Sequence, residues 1–424
     1  MREYRSAVLG ELRRARLRRL TDNYDVLQRG PEPPAPPPIW RACAAEAMQR
    51  VKDEGLSGLR PLARALAYYL APGAYFSRYA SAEIERGELL YGLLADEPSR
   101  GLLVKLIAYR ILGHRKVKLP RNTPRYWRDI EAVGNVRTDA EPIPIKFMDA
   151  KLALYDCTPM DYDLRAYASG PGLACALVQK QYEYHRGDVH LKAEAGDVVI
   201  DAGGCWGETS VYFAHEVGAG GAVISFEFIP SNLVVLHRNR EANPHLKDRL
   251  RVVENPIWSA SGLKLYYVDW GPGSRVTADI NQYHSWEGIA ETTTIDDTLA
   301  AQGLDRVDFI KMDIEGAELD ALKGAEAAIR KHRPKLAISL YHKPDDFETI
   351  PSYLDGLGLG YRFYLDHHTI YENETVLFAV TDQPWKQEAL YVIDLVSITP
   401  GAVSDRPTPC VGGLGVPLSL APLS

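Results

Sequence analysis

The stretch Val198-Val199-Ile200-Asp201-Ala202-Gly203-Gly204-Cys205-Trp206-Gly207-Glu208-Thr209-Ser210-Val211-Tyr212 constrains the chain more than any other. An apolar run closes on an acid, a glycine-rich turn follows, and helical character resumes. That order describes a buried parallel strand entering a helix through a tight loop. Loops of this kind lie where open α/β sheets bind ligands. Gly203, Gly204 and Gly207 let backbone approach a ligand, and the free N–H groups that open the helix favour a negatively charged group.

Two ligand classes fit. A dinucleotide would rest its pyrophosphate there, whereas S-adenosylmethionine (SAM) would bring its amino-acid end to the loop and its ribose to the end of the next strand. That strand, Ala222-Val223-Ile224-Ser225-Phe226, ends at Glu227, whose carboxylate can accept from ribose hydroxyls in either case. The glycines depart from G-x-G-x-x-G, because Thr209 stands where the third glycine is needed. Asp201, two positions before the first glycine, suits a cationic ammonium or sulfonium better than a pyrophosphate. The plainer roles are a turn cap for Asp201 and a solvated strand end for Glu227.

The chain has 424 residues, more than one core usually serves, so two or three units are expected. With 46% hydrophobic and 25% charged residues it reads as soluble and globular. A net charge of −7 offers no concentrated basic face, and no nucleic-acid partner is expected. The basic run Arg13 to Arg19, with Leu9, Leu12, Leu17 and Leu20 at roughly helical spacing, describes an amphipathic helix in residues 1–30. Five separated cysteines suggest neither a zinc site nor a disulfide framework. Apolar runs fall short of the ~20 residues that cross a bilayer, and the first residues lack a signal-peptide core, so no transmembrane segment and a cytoplasmic location are expected.

Pro-Glu-Pro-Pro-Ala-Pro-Pro-Pro at 31–38 reads as an extended linker. Residues 39–120 read as a helical accessory region, with helices over Ala42 to Val51, Leu59 to Leu70, Ala82 to Leu94 and Pro98 to Leu112. From His114 to Ala150 prolines and charges alternate, as in an extended surface passage, and 121–180 forms a lead-in segment. Tyr182, Glu183, Tyr184 and His185 lie just ahead of the central strand, where they can fold over its loop.

Beyond Glu227 come a helix from Ser231 to Glu241, the strand Leu250 to Glu254 ending at Asn255, and a hairpin of Lys264 to Val268 with Arg275 to Ile280. Then follow the strand Val307 to Asp313, a helix from Glu315 to Ile329, Lys335 to Tyr341, a helix from Asp346 to Leu357, Tyr361 to Leu365 and Thr375 to Val380. The short loop between the last two strands requires them to be antiparallel. The expected fold is therefore α/β, a seven-stranded, mostly parallel Rossmann-like sheet with one antiparallel strand, as in class I methyltransferases, over 181–383. The C-terminal tail at 384–424 holds one further strand, Leu390 to Val396, before it becomes Pro/Gly-rich.

At these residues the chain resembles the FkbM family of SAM-dependent methyltransferases. Val198-Val199-Ile200-Asp201-Ala202-Gly203-Gly204 is shared with many SAM enzymes, and Lys311-Met312-Asp313-Ile314-Glu315-Gly316-Ala317-Glu318 looks like the family's K-x-D-x-E-G-x-E hallmark. Thr294-Ile295-Asp296-Asp297-Thr298-Leu299 resembles its T-[LI]-D-D-x-[LI] element. Cys205 stands where many members have asparagine, and Phe228 where many have proline. The resemblance implies SAM as cofactor and, most often, O-methylation of a sugar, polyketide or other natural product, hence a small-molecule hydroxylated acceptor.

In a parallel sheet the strands end on one rim, which should carry Asp201, Glu227, Glu254 or Asn255, Asp313, His342 and His367 or His368. Such convergence points to an enzyme. Asp201, Gly203, Gly204, Gly207, Glu227 and Asn255 are the candidate cofactor residues. Methyl transfer to a hydroxyl needs close in-line positioning and help in removing the proton. His342 is the candidate base, since imidazole titrates near neutrality. Asp313 is the rival base or acceptor anchor, or else the ion-pair partner of Lys311. Asp345 and Asp346 are explained by the start of a helix, so no metal is expected. Glu315 and Glu318 are expected to complement the positive end of the helix they open. Trp286, Tyr283 and His284 are candidates for the acceptor pocket. The other readings are an NAD(P)-dependent oxidoreductase on a similar sheet and a SAM-binding protein without catalysis.

Overall fold

Four apolar runs, each too continuous to keep a face in water, form the middle of a sheet that is covered on both sides. In a computed structural model of the protein, which describes residues 2–18, 20, 72–279 and 286–382, the strands are β1 (Val198–Ala202), β2 (Ala222–Phe226), β3 (Leu250–Val253), β4 (Phe309–Met312), β5 (Lys335–Ser339), β6 (Tyr361–His367) and β7 (Thr375–Thr381). Their order across the sheet is β6-β7-β5-β4-β1-β2-β3. Strands β1 to β5 pair in parallel, while β7 runs against both β5 and β6. This is the expected seven-stranded sheet of a class I methyltransferase, with its reversed strand second from the edge.

Side chains alternate between the two faces. Ile200, Ile224, Ile310 and Ile338 point into one core, which also takes in the amino-terminal helices. Val199, Val223, Phe309 and Ala337 point into the other, shared with Tyr155 and Leu173 of the lead-in segment and with Tyr184 and Phe213. Helices α1 (Arg2–Arg16), α2 (Pro72–Leu93) and α3 (Glu97–Leu112) thus share a core with the sheet. Asp96 caps α3 by accepting from the backbone N–H of Ser99 at 2.9 Å, and Ser99 Oγ accepts from the backbone N–H of Leu365 in β6 at 2.9 Å. The Pro-rich segment 31–38, the helices expected between Ala42 and Leu70, the strand expected over Leu390 to Val396, and Tyr283 and His284 lie outside the described residues.

Several local expectations are corrected. Helix α1 buries Tyr4, Val8, Glu11 and Ala15, and leaves Leu9 46% and Leu17 89% exposed. An acid in the middle of the buried stripe hid its phase. Glu11 is tolerated there because Arg14 and Arg18 lie 2.9 and 3.6 Å from its carboxylate. The passage 114–150 contains a helix, α4 (Pro124–Gly134), with proline in its first turn, where a missing N–H costs nothing. After α5 (Glu208–Glu216), α6 (Pro230–Ala242) and α7 (Ile295–Ala301), the single helix expected from Glu315 is two, α8 (Glu318–Lys323) and α9 (Glu326–His332), broken at Gly324. A Cβ at Gly324 would overlap the carbonyl oxygen of Trp258. The hairpin of Lys264–Val268 and Arg275–Thr277 gains a third strand, Gly288–Glu291, which pairs with the first.

Gly87 illustrates how α1 is seated. A Cβ there would overlap the hydroxyl of Tyr4, which is fully buried and has no hydrogen-bond partner. Gly87→Ala should lower stability by roughly 1–3 kcal/mol, although alanine favours an exposed helix by about 1 kcal/mol. Tyr4→Phe, which removes both the obstacle and the unpaired hydroxyl, should recover most of the loss in the double variant. Urea denaturation of the four proteins measures this, and a stabilised Gly87→Ala single variant would refute the packing account.

Candidate active site

The register of β4 against β1 sets Lys311 directly opposite Asp201. Both side chains are buried, and the ammonium lies 2.9 Å from Asp201 Oδ1. Lys311 also donates to the carbonyl oxygen of Gly203 at 2.7 Å. The other Asp201 oxygen accepts from Thr209 Oγ1 at 2.9 Å and Ser210 Oγ at 2.6 Å, at the start of α5 (Glu208–Glu216). Burial works against the Lys311 charge, but Asp201 and Asp313 more than offset it, and its pKa is raised. Asp201 therefore braces the loop from beneath. Expected to face a cationic ligand, it is instead committed to Lys311 and the helix hydroxyls.

The loop above is tightly held. Gly203 has φ of 85°, and a Cβ on it would overlap the backbone oxygen of Asp313. Gly204 packs against the Ser225 hydroxyl, and Gly207 precedes α5 with φ of 90°. Cys205 sits in the left-handed region at φ 46°, a conformation that asparagine adopts more readily than cysteine.

Two hollows open on the strand-end rim and meet along Gly203, Cys205, Asp313 and Glu315. The first, of some 630 Å³ counted to its mouth, is lined by Glu227, Phe228, Ile229, Asn232, Asn255, Ile257 and Leu265. Glu227 stands at the end of β2. Its carboxylate accepts from the backbone N–H groups of Phe228 (2.6 Å) and Ile229 (2.7 Å) and from Asn232 Nδ2 (3.1 Å). Burial outweighs those bonds and pushes its pKa up to about 7. The Oδ1 of Asn232 is buried without a partner. Asn255 donates to the carbonyl oxygen of Glu291 at 3.0 Å and forms part of the wall.

The second hollow, some 1490 Å³ to its mouth, lies between the loop, the lead-in segment and the β6–β7 connection. Tyr126, Tyr182, Trp206, Tyr341 and Tyr371 supply aromatic wall, and Glu208, Asp313, Glu315 and Glu374 supply acids. Asp313, just past β4, accepts from Tyr182 at 2.9 Å and from Tyr341 at 3.0 Å. The Tyr341 hydroxyl also lies 3.2 Å from Glu374 Oε2, and Gln181 and Asn373 donate to the same Glu374 carboxylate. The Tyr341 hydroxyl thus stands between the two half-buried acids.

His342 is not placed as a base. Its Nε2 lies 3.2 Å from Asp313 Oδ1 and its Nδ1 2.8 Å from Glu318 Oε1, although neither N–H points squarely at its oxygen. Burial opposes the imidazolium, but the two carboxylates overcome it and raise its pKa to about 11. A ring held charged cannot accept a proton near neutrality. The Asp313 carboxyl is correspondingly brought down to about 2, burial pulling the other way, by His342, Lys311 and Tyr182. Glu318, expected on a helix end, is buried and accepts from the backbone N–H of Ile314 at 2.8 Å. Asp313, Glu318 and His342 present ligand atoms within 4.8 Å of one another. A divalent cation could use that set only by displacing the imidazolium proton. Asp346 instead accepts from the backbone N–H of Lys343.

Among known protein families, residues 184–363 match the methyltransferase FkbM domain. The match covers less than half of the chain. The FkbM domain implies SAM as its cofactor. No curated protein matches. Among solved structures, the chain is similar to the methyltransferase FkbM from Methylobacillus flagellatus, with 21% identity and a TM-score of 0.44 over 70% of this chain and 58% of that one. It thus spans less than two thirds of that protein. Aeropyrum pernix fibrillarin, solved with natively bound SAM, gives 12% identity, coverage of 57% and 96%, and a TM-score of 0.32. A SAM-dependent O-methyltransferase from Thermotoga maritima gives 14%, 55% and 72%, and 0.31.

Within the matched residues the structure brings Gly203, Glu227, Asn255 and Asp313 to one continuous cleft and leaves Asp201 beneath it. Glu254 pairs outside with His237, at 3.1 Å. His367 and His368 are buried, their pKa values pushed down to about 4 and 3 by burial. Trp286 packs on Tyr266, their rings 5.6 Å apart. Sequence reasoning missed Glu208, Gln181, Tyr341 and Glu374. Glu374 was open to the rim argument, because a reversed β7 begins where the parallel strands end.

The His342 clasp has a pH signature. Its pKa of about 11 lies above the ordinary 6.5, so its stabilisation is complete below about pH 6.5 and is lost as pH rises toward 11. The melting temperature should fall across that window, and His342→Gln should start lower and show a flatter fall. An unchanged slope in the variant would assign the pH dependence elsewhere.

Proposed function

We propose that the protein is a SAM-dependent O-methyltransferase acting on a small hydroxylated acceptor. The observation that carries this is the junction of the two hollows at Gly203 and Asp313, which gives donor and acceptor separate compartments with one shared wall. Apolar walls at Ile229, Ile257 and Leu265, an acid at the end of β2 and an unpartnered Asn232 oxygen fit the nucleoside portion of SAM. Glu227 would receive the ribose hydroxyls, Asn255 would flank the base, and Gly203 would leave the backbone bare beside the sulfonium. When bound, SAM supplies a methyl group that passes to a nucleophilic oxygen with release of S-adenosylhomocysteine.

The remaining work falls to the acceptor chamber. Asp313, kept ionised by His342 and oriented by Tyr182 and Tyr341, is suited to hold an acceptor hydroxyl in place and is too acidic to keep its proton. Glu374 is the better proton acceptor. Burial and the facing Asp313 charge push its pKa up to about 7, against the Tyr341 bond, the His342 charge and the Asn373 bond. A base matched to neutral pH transfers protons most effectively. The aromatic and carboxylate walls suit a polyhydroxylated or aromatic natural product over a charged polymer.

Isothermal calorimetry with SAM tests the donor site. The wild-type protein should bind, and Glu227→Ala should bind at least about tenfold more weakly, as loss of a charged hydrogen bond requires. No heat with wild type, or equal affinity in the variant, overturns the assignment. Turnover of extracts with isotopically labelled donor, read by mass spectrometry, tests the base. Glu374→Gln should lose roughly 10²–10⁴-fold in rate while keeping SAM affinity, and the wild-type rate should rise as pH passes upward through about 7.

A further inference from the structure

The acids around the second hollow differ in one respect. Asp313 is engaged by two tyrosines and His342, and Glu374 by Gln181, Tyr341 and Asn373. Glu208 is different: its Oε2 is buried and has no hydrogen-bond partner. The residue lines the chamber next to Gly203 and Gly204, in the first turn of α5, and its Oε1 lies close to Gly172 on the facing lead-in segment. Burial pushes its carboxyl up to about 7, opposed by its own backbone N–H and by Lys311.

An unpaired carboxylate oxygen out of water is costly, and in a native protein it calls for an explanation, of which a bound group is one. The missing partner must be a hydrogen-bond donor, and a cationic one recovers most. Asp201 was the obvious acid for such a group, but one of its oxygens is ion-paired with the Lys311 ammonium at 2.9 Å and the other accepts from Thr209 and Ser210. Glu208 stands on the open side of the same loop. We infer that Glu208 grips the α-ammonium group of the donor's amino-acid portion, so that this portion is held from the lead-in side of the glycine loop. The inference rests on the donor site proposed above. Bound in this way, the ammonium would also favour the ionised form of Glu208 at the positive end of α5, where a negative charge is favoured.

The test compares two probes on the full chain by calorimetry. S-adenosylhomocysteine carries the ammonium, whereas 5′-methylthioadenosine has the same nucleoside and no amino-acid portion. Glu208→Gln keeps the side-chain size and removes the unpaired charge, so it should fold, which its melting temperature checks. It should bind S-adenosylhomocysteine roughly ten- to hundredfold more weakly than wild type and 5′-methylthioadenosine equally well. Glu208→Asp, which keeps the charge but withdraws it by one methylene, should show an intermediate loss confined to the first probe. Equal weakening of both probes by Glu208→Gln, or of neither, overturns the inference while leaving the donor site intact. Failure of wild type to bind either probe overturns the donor site itself, and the role of Glu208 with it.

Discussion

The buried pair between Lys311 and Asp201 is the constraint from which the rest of the site follows. It joins the two central strands at the point where both reach the rim, and it reaches on to the carbonyl oxygen of Gly203. A pair of this kind adds little net stability, yet removing one partner strands a charge in the interior at a cost of about 3–5 kcal/mol. Its value lies in register. A slip of β4 by one residue would turn Lys311 away from Asp201 and toward the opposite face, and Asp313 would no longer meet the glycine loop.

From that fixed point charge is distributed outward in a definite order. Lys311 answers Asp201, His342 answers Asp313 and Glu318, and Arg121 and Arg186 answer Asp366 at 3.2 and 2.7 Å. Three acids on the cleft wall, Glu208, Glu227 and Glu374, have no full positive partner, and burial lifts each to about 7. The ionised anchors and the poised acids thus occupy different places. The acids with a cation within reach are held ionised, and the three without one are poised near neutrality.

Much of this was legible in the chain. The sheet and its reversed strand could be read because parallel strands are long apolar runs and a short loop cannot cross over. The residues that end those runs, Glu227 and Asp313, could be placed on the rim for the same reason. What could not be read was pairing. Asp201 and Glu208 both flank the glycine loop, and only the register of β4 shows that Lys311 takes one and leaves the other. His342 looked like a base because an isolated imidazole titrates near neutrality, and only the approach of Glu318 from α8 shows it to be a fixed cation. The phase of α1 was hidden by Glu11, a charged residue in a buried stripe whose partners are a turn away on the same helix or just beyond it.

The reversed strand has a consequence for how such a site can diversify. The first hollow is lined from turns that leave β1, β2 and β3, whereas Glu374 of the second comes from a turn that enters β7. The two hollows thus draw on different turns and meet along Gly203, Cys205, Asp313 and Glu315. Lengthening or recomposing the 368–374 connection can reshape the second hollow while the first stays as it is, so one half of the cleft is free to drift while the other is held.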